Sequence, residues 1–241
     1  MRISLGPESA EPVYRMALDA ASPSHFDLYD PYDYCRGRAL ELVRKQIGDL
    51  PESVAECWFF LGDFARLINH CFPDRKLFLY DTFEGHDEGE AAQALRDGYY
   101  CDFTEEKLRD SVEQVYKNGS RQAFNLPEDA SSSQVADCVV ARMPFPEKCI
   151  PRVGLFPDTA ALDGEEKFVF VSLDINFRES MRSGLELFYP RLHDVGVIFA
   201  HDYNSPYFFG VRKAVEETEE NLGSFKKFPL PDSAGTLVIV K

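Results

Sequence analysis

VAECWFFLGDFARLINHCFPDRKLFLYD, residues 54–81, decides the fold. It opens with a short apolar run, Val54 to Phe60, that ends at Gly62. A helix then reads from Asp63 to Cys71 and is closed by Pro73, and a second apolar run, Lys76 to Tyr80, ends in the acid Asp81. Strand, turn, helix, strand is the unit of a parallel sheet. The rhythm returns downstream, with Ile150 to Phe156 as a weaker third strand, Phe168 to Leu173 as a strong fourth ending in Asp174, and Val195 to Ala200 as a fifth ending in His201 and Asp202. Helical patterns separate the last three, notably Glu179 to Tyr189. Thr236 to Val240 closes the chain as a final strand, paired to a run near Phe225 to Phe228 through Pro229, Pro231, Asp232 and Gly235.

Strands that are apolar on both faces and alternate with helices predict a doubly wound α/β fold, its mostly parallel sheet covered on both sides. Ligands in such sheets bind beyond the carboxyl ends of the strands, near the switch in strand order. Asp81, Asp174 and Asp202 each terminate a different predicted strand, so three carboxylates from distant sequence are expected on one rim. An Asp after a strand is also a common cap or turn former, but three on one edge favour a site.

Two segments break the rhythm. Residues 1–34 mix Pro, Ser, Asp and Tyr without periodicity and read as an N-terminal arm; the first amphipathic helix follows from Arg36 to Ile47, stopped by Gly48. Residues 84–146 read as an insertion or lid after the second strand, with helices from Glu105 to Tyr116 and from Gln134 to Met143. The whole chain, 1–241, is expected to form one domain carrying both additions.

Composition narrows the partners. The net charge of −15, from 41 acids against 26 bases, repels phosphate backbones and anionic lipid, which makes nucleic acid and membrane surfaces poor partners. The six cysteines (Cys35, Cys57, Cys71, Cys101, Cys138, Cys149) show no CxxC spacing and read as free thiols, and no signal-like or membrane-length apolar segment is found, so a cytoplasmic location is expected. No GxGxxG occurs, which argues against a nicotinamide or flavin enzyme. One glycine after the first strand and an acid after the second meet, in part, the needs of a bound nucleoside: a close backbone approach and an acceptor for ribose hydroxyls.

At these residues a family comes into view. VAECWFFLGDFARLINHCFPDRKLFLYDTFEG (54–85) and FVFVSLDINFRESMRSGLELFYPRLHDVGVIFAHDYNSPYFFGVRKAVEE (168–217) resemble the macrocin O-methyltransferase (TylF/MycF-type) family of class I S-adenosylmethionine-dependent methyltransferases, which have a Rossmann-like fold. The likeness runs from about Tyr32 to the C-terminal PLPDSAGTLVIVK and is weakest in the insertion. It implies methyl transfer from S-adenosylmethionine to a hydroxyl of a sugar or polyol in glycan or natural-product biosynthesis, assisted by Mg²⁺. The acceptor would be a small molecule such as a sugar, nucleotide-sugar or glycoside. A homodimer is compatible with an arm that crosses to a second subunit. The resemblance further implies that Glu56, Cys57, Trp58 and Gly62 line the methionine end of the cofactor, that Asp81 holds its ribose, and that Thr82, Phe83 and Glu84 flank it. Asp174 and Asp202 match metal-holding positions, with Asn176 beside them, and His201 joins the two acids as a catalytic candidate.

Two departures complicate the reading. The family's AELGVYRGDFA stands here as AECWFFLGDFA, so Trp58 replaces the first glycine of the cofactor turn. An indole there either closes the cofactor site, displaces the loop, or packs into the core beneath a shifted turn. The family's LDxDLYE stands as LDINFRE, so Asn176 replaces the second acid and a weaker or absent Mg²⁺ is expected. The alternative to a working methyltransferase is a diverged relative that keeps the fold but binds a partner or runs a different reaction. His86, in the insertion, is the one other histidine singled out for testing.

Overall fold

In the computed structural model the chain is described for residues 31–99, 104, 106–107, 112–160, 162, 166–232 and 234–241. Most of the predicted arm lies outside them. Helix α1 spans Pro31–Ile47, so it begins at Pro31 rather than at Arg36. Strand β1 (Ser53–Cys57) leads to α2 (Asp63–Cys71), and β2 (Leu77–Asp81) to the insertion. After it come β3 (Cys149–Val153), β4 (Phe168–Leu173), α6 (Arg178–Phe188), β5 (Leu192–Ala200), α7 (Phe209–Leu222), β6 (Lys226–Pro229) and β7 (Leu237–Val240).

These strands form one seven-stranded sheet in the order β3-β2-β1-β4-β5-β7-β6. All pairings from β3 to β5 are parallel, and β7 is antiparallel to both of its neighbours. The doubly wound, mostly parallel sheet expected from the sequence is therefore present, with helices on both faces.

Alternation along the strands divides the core. Val54, Leu77, Leu79, Phe170, Val197 and Phe199 face one side, against Leu40 and Val43 of α1, Ile68 of α2 and Val139 of the insertion. Ala55, Cys57, Phe78, Tyr80, Val171, Ile198 and Ala200 face the other, against Met181, Leu185 and Phe188 of α6 and Val211, Ala214 and Val215 of α7. Such two-sided burial is why KLFLY and FVFVSL read as continuous apolar runs.

The chain crosses from one half of the sheet to the other between β1 and β4, so a crevice opens at their carboxyl ends. The insertion holds more structure than predicted. Helix α3 (Glu88–Arg96) is capped by Asp87, whose side chain accepts from the Glu90 backbone N–H at 2.8 Å. A π-helical stretch at Val112–Asn118 runs into the short α4 (Gly119–Ala123). Helix α5 (Ser132–Ala141) starts with a reciprocal box between Ser131 and Gln134, near the predicted Gln134 to Met143. Of the helix predicted from Glu105 to Tyr116, the first part falls largely outside the described residues. No described helix is long and apolar enough to cross a membrane.

Candidate active site

Hydrogen bonds of the sheet continue one residue past three strands. Trp58 N–H donates to Tyr80 O at 2.8 Å, Asp174 N–H to Cys57 O at 3.1 Å, and His201 N–H to Leu173 O at 2.9 Å. These bonds hold the first residues after β1, β4 and β5 side by side on the rim, where they border a cavity of about 340 Å³. Its lining includes Arg36, Glu56, Trp58, Phe60, Asp81, Phe83, His86, Tyr116, Asp174, Asn176 and His201.

The turn after β1 follows an unusual path. Trp58 and Phe60 adopt left-handed backbone (φ 63° and 47°), as does Phe83 after β2 (φ 55°), in a region that disfavours side chains by about 1–2 kcal/mol. β1 thus ends at Cys57, before Trp58, and not at Phe60 as the apolar run suggested. Asp81 holds the turn in place. Its Oδ2 accepts from Phe60 N–H at 3.0 Å and its Oδ1 from Phe83 N–H at 2.7 Å, clamping two left-handed residues with one carboxylate. Burial pushes its pKa up to about 6 even though these backbone bonds favour the charged form.

Trp58 keeps the backbone that a glycine would take and swings its indole aside. The ring lies 5.1 Å from His86 and 5.7 Å, edge on, from Phe177, and packs against the small cluster built on Ala91 and Ala94 of α3. His86 in turn lies 4.6 Å from Tyr116, which meets Phe60 at 5.3 Å. One wall of the cavity is therefore aromatic, and burial lowers the His86 pKa to about 4, leaving a neutral ring there. Replacing Trp58 with Gly should relieve the backbone but lose this packing, for a net loss of about 1–3 kcal/mol. The expected readout is a melting temperature lower by about 3–10 °C with no gain in ligand affinity; a tighter-binding variant would show that the indole obstructs the site.

The neighbouring strand ends carry charge. His201 Nδ1 lies 2.7 Å from Asp174 Oδ1 and 3.1 Å from Asp202 Oδ2, and Asn176 Nδ2 donates to the same Asp202 oxygen at 2.6 Å. Burial pulls the His201 pKa down, but the Asp174 charge and the two hydrogen bonds prevail and drive it up to about 10. For Asp174, burial opposes ionisation, yet His201 and then Arg36 hold its carboxyl below the ordinary range. Because Nδ1 faces two acceptors, it carries hydrogen, and the ring's other nitrogen, Nε2, is the one left for an external partner.

Glu56 sits deepest. It is 1% exposed, its Oε2 has no hydrogen-bond partner among the described residues, and burial followed by the Asp174 charge raises its pKa well above the usual carboxylate range. An orphaned buried acceptor of this kind calls for a donor from a ligand.

Several expected residues stand elsewhere. Cys57 is sealed in the core and does not line the cavity, and Gly62 (φ 82°) turns toward α5, where an added Cβ would meet Val139 at 2.6 Å. The one glycine of the turn thus serves helix packing and not close approach to a ligand. Glu84 also turns away: it accepts from Arg121 Nη2 at 2.7 Å and Ser132 Oγ at 2.6 Å, tying β2 to the insertion. Thr82 lines the cavity, although its hydroxyl closes the local loop by donating to Gly85 O at 2.8 Å. Asp202 (φ 58°) lies behind His201, outside the lining. Arg36 and Tyr116 join the site without having been anticipated; a basic residue on the core-facing side of α1 was the available signal for the first.

Asp174, His201 and Asp202 together offer three ligand atoms within 4.8 Å of one another. One oxygen of each carboxylate, however, is already turned to N–H donors, Nδ1 of His201 and Nδ2 of Asn176, the histidine offers nitrogen, and a hard ion such as Mg²⁺ requires a shell of oxygen lone pairs. This donor set does not fit Mg²⁺ as arranged.

No family model and no curated protein matches the sequence. Solved structures do match in fold. The O-methyltransferase NovP superposes with a TM-score of 0.59 at 17% identity, over 86% of this chain and 79% of its own. CalS11, a calicheamicin methyltransferase, gives 0.58 at 13% identity over 99% and 94%. A putative O-methyltransferase from Klebsiella pneumoniae gives 0.51 at 14% identity over 96% and 91%. At these identities the agreement establishes the class I methyltransferase, Rossmann-like fold.

Proposed function

We propose that the chain is an S-adenosylmethionine-dependent O-methyltransferase acting on a hydroxyl of a sugar or similar polyol. The observation that carries this reading is a single cavity bordered by a nucleoside-type acid, Asp81, at one strand end and by the Asp174–His201 pair at two others. The cofactor fits the residues. The Asp81 carboxylate lines the cavity, where it can accept from ribose hydroxyls, and the orphaned Glu56 Oε2 suits the ammonium of the methionine end. When bound, S-adenosylmethionine supplies a methyl group on a sulfonium, already a good leaving group.

The protein's own work is positioning and proton removal. The aromatic wall of Trp58, Phe60, His86 and Tyr116 gives a sugar ring an apolar face to pack on, and Asn176 offers an amide at the rim. The acceptor oxygen must lose its proton as it bonds to the methyl carbon. The neutral form of His201 takes it at Nε2, becoming the imidazolium, while Asp174 and Asp202 fix the ring through Nδ1. The solved neighbours NovP and CalS11 support the hydroxyl-methylating reading, and CalS11 in its apo form is described as a TDP-rhamnose 3′-O-methyltransferase.

The test is transfer of labelled methyl from S-adenosylmethionine to a panel of sugars, nucleotide-sugars and glycosides. Incorporation into one of them is expected, and absence of both cofactor binding and transfer would sink the reading. Because the donor set does not favour Mg²⁺, activity is expected to stay within about twofold after exhaustive chelation. A loss restored by Mg²⁺ would instead show the carboxylates serving an ion.

A further inference from the structure

The reading above gives no role to Arg36, a cation in the cavity wall. It lies on α1, is 8% exposed, and stacks its guanidinium 4.2 Å over the Phe64 ring at the start of α2. Its Nη1 is 3.9 Å from Asp174 Oδ2. Burying a guanidinium is costly unless its charge is used. The same lining carries the carboxylates of Glu56, Asp63, Asp81 and Asp174.

Arg36 and Glu56 share the cavity lining, and the Arg36 charge acts on Glu56 against the burial and the Asp174 charge that raise its pKa. A cation and an orphaned acceptor in one cavity complement one chemical group: an α-amino acid, whose carboxylate needs planar paired donors and whose ammonium needs an acceptor. We infer that Arg36 binds the α-carboxylate of the cofactor's amino-acid end, with Glu56 receiving the ammonium, so that α1 contributes directly to cofactor recognition. The inference rests on the methyltransferase reading.

Two ligands separate the possibilities. S-adenosylhomocysteine carries the amino-acid end, whereas 5′-methylthioadenosine keeps the nucleoside and lacks it. Calorimetric titration of the native protein should show much tighter binding of the first. Arg36→Met, which retains the aliphatic stem, should weaken S-adenosylhomocysteine about 10- to 150-fold and leave 5′-methylthioadenosine unchanged, with Arg36→Lys between the two. Intact 5′-methylthioadenosine binding also certifies that the variant is folded. Unchanged S-adenosylhomocysteine affinity in Arg36→Met, or equal weakening of both ligands in both variants, would overturn the assignment while leaving the methyltransferase reading intact. Failure of the native protein to bind either ligand would remove that reading, and this inference with it.

Discussion

Replacing His201 with Gln is expected to lower the rate of methyl transfer by a factor of about 10² to 10⁴ while S-adenosylhomocysteine still binds. The glutamine amide can donate toward Asp174 but cannot take the acceptor's proton. The pH profile separates this role from a structural one. With its pKa near 10, His201 is almost wholly an imidazolium at neutral pH, so the base form is scarce. The native rate should therefore rise about tenfold per pH unit from 7 to 9 and level off near 10. In the variant that slope should vanish. A native profile that is flat across this range would shift the role of base to Asp174, which also lines the cavity and stays ionised throughout.

The second large effect is expected at Asp81. Replacing it with Ala leaves the N–H groups of Phe60 and Phe83 without their acceptor, each at a cost of about 1–3 kcal/mol, in a turn that already carries left-handed strain. Chemical denaturation should show a loss of about 2–5 kcal/mol, and S-adenosylhomocysteine affinity should fall by a factor of about 100 or more. The native residue also opposes stability to binding as pH changes. Its folded pKa, about 6, lies above its unfolded value, so its contribution to stability is full below that unfolded value and is lost as pH rises through about 6. The ionised form is the better acceptor for ribose hydroxyls, so affinity should weaken as pH falls below about 6. A variant that loses stability but binds normally would reduce Asp81 to a turn clamp.

The sheet was legible because burial on both faces leaves a strong trace: KLFLY and FVFVSL admit few other readings. The rim acids were legible for the related reason that polarity returns where a strand leaves the core, as at Asp81 and Asp174. The turn between β1 and α2 was not. Sequence rules assign left-handed backbone to glycine, yet here Trp58 and Phe60 adopt it, sustained by the long-range bonds to Tyr80 and Asp81 that no local pattern reveals. Helix α3 was not anticipated within the insertion, although Asp87 with Glu90 at the third helical position is a capping pattern. Arg36 escaped notice because α1 looked like scaffold, and only the fold reveals that its buried side opens on the cavity.

Trp58, the sole tryptophan of the chain, stands half-buried at the cavity wall beside His86. The protein's indole fluorescence therefore has one address, and that address is the site itself. Occupancy of the cavity and protonation of the neighbouring imidazole both act on a single chromophore. The residue whose left-handed backbone opens the turn after β1 is also a built-in optical probe, which lets ligand exchange be followed in the native chain without a label.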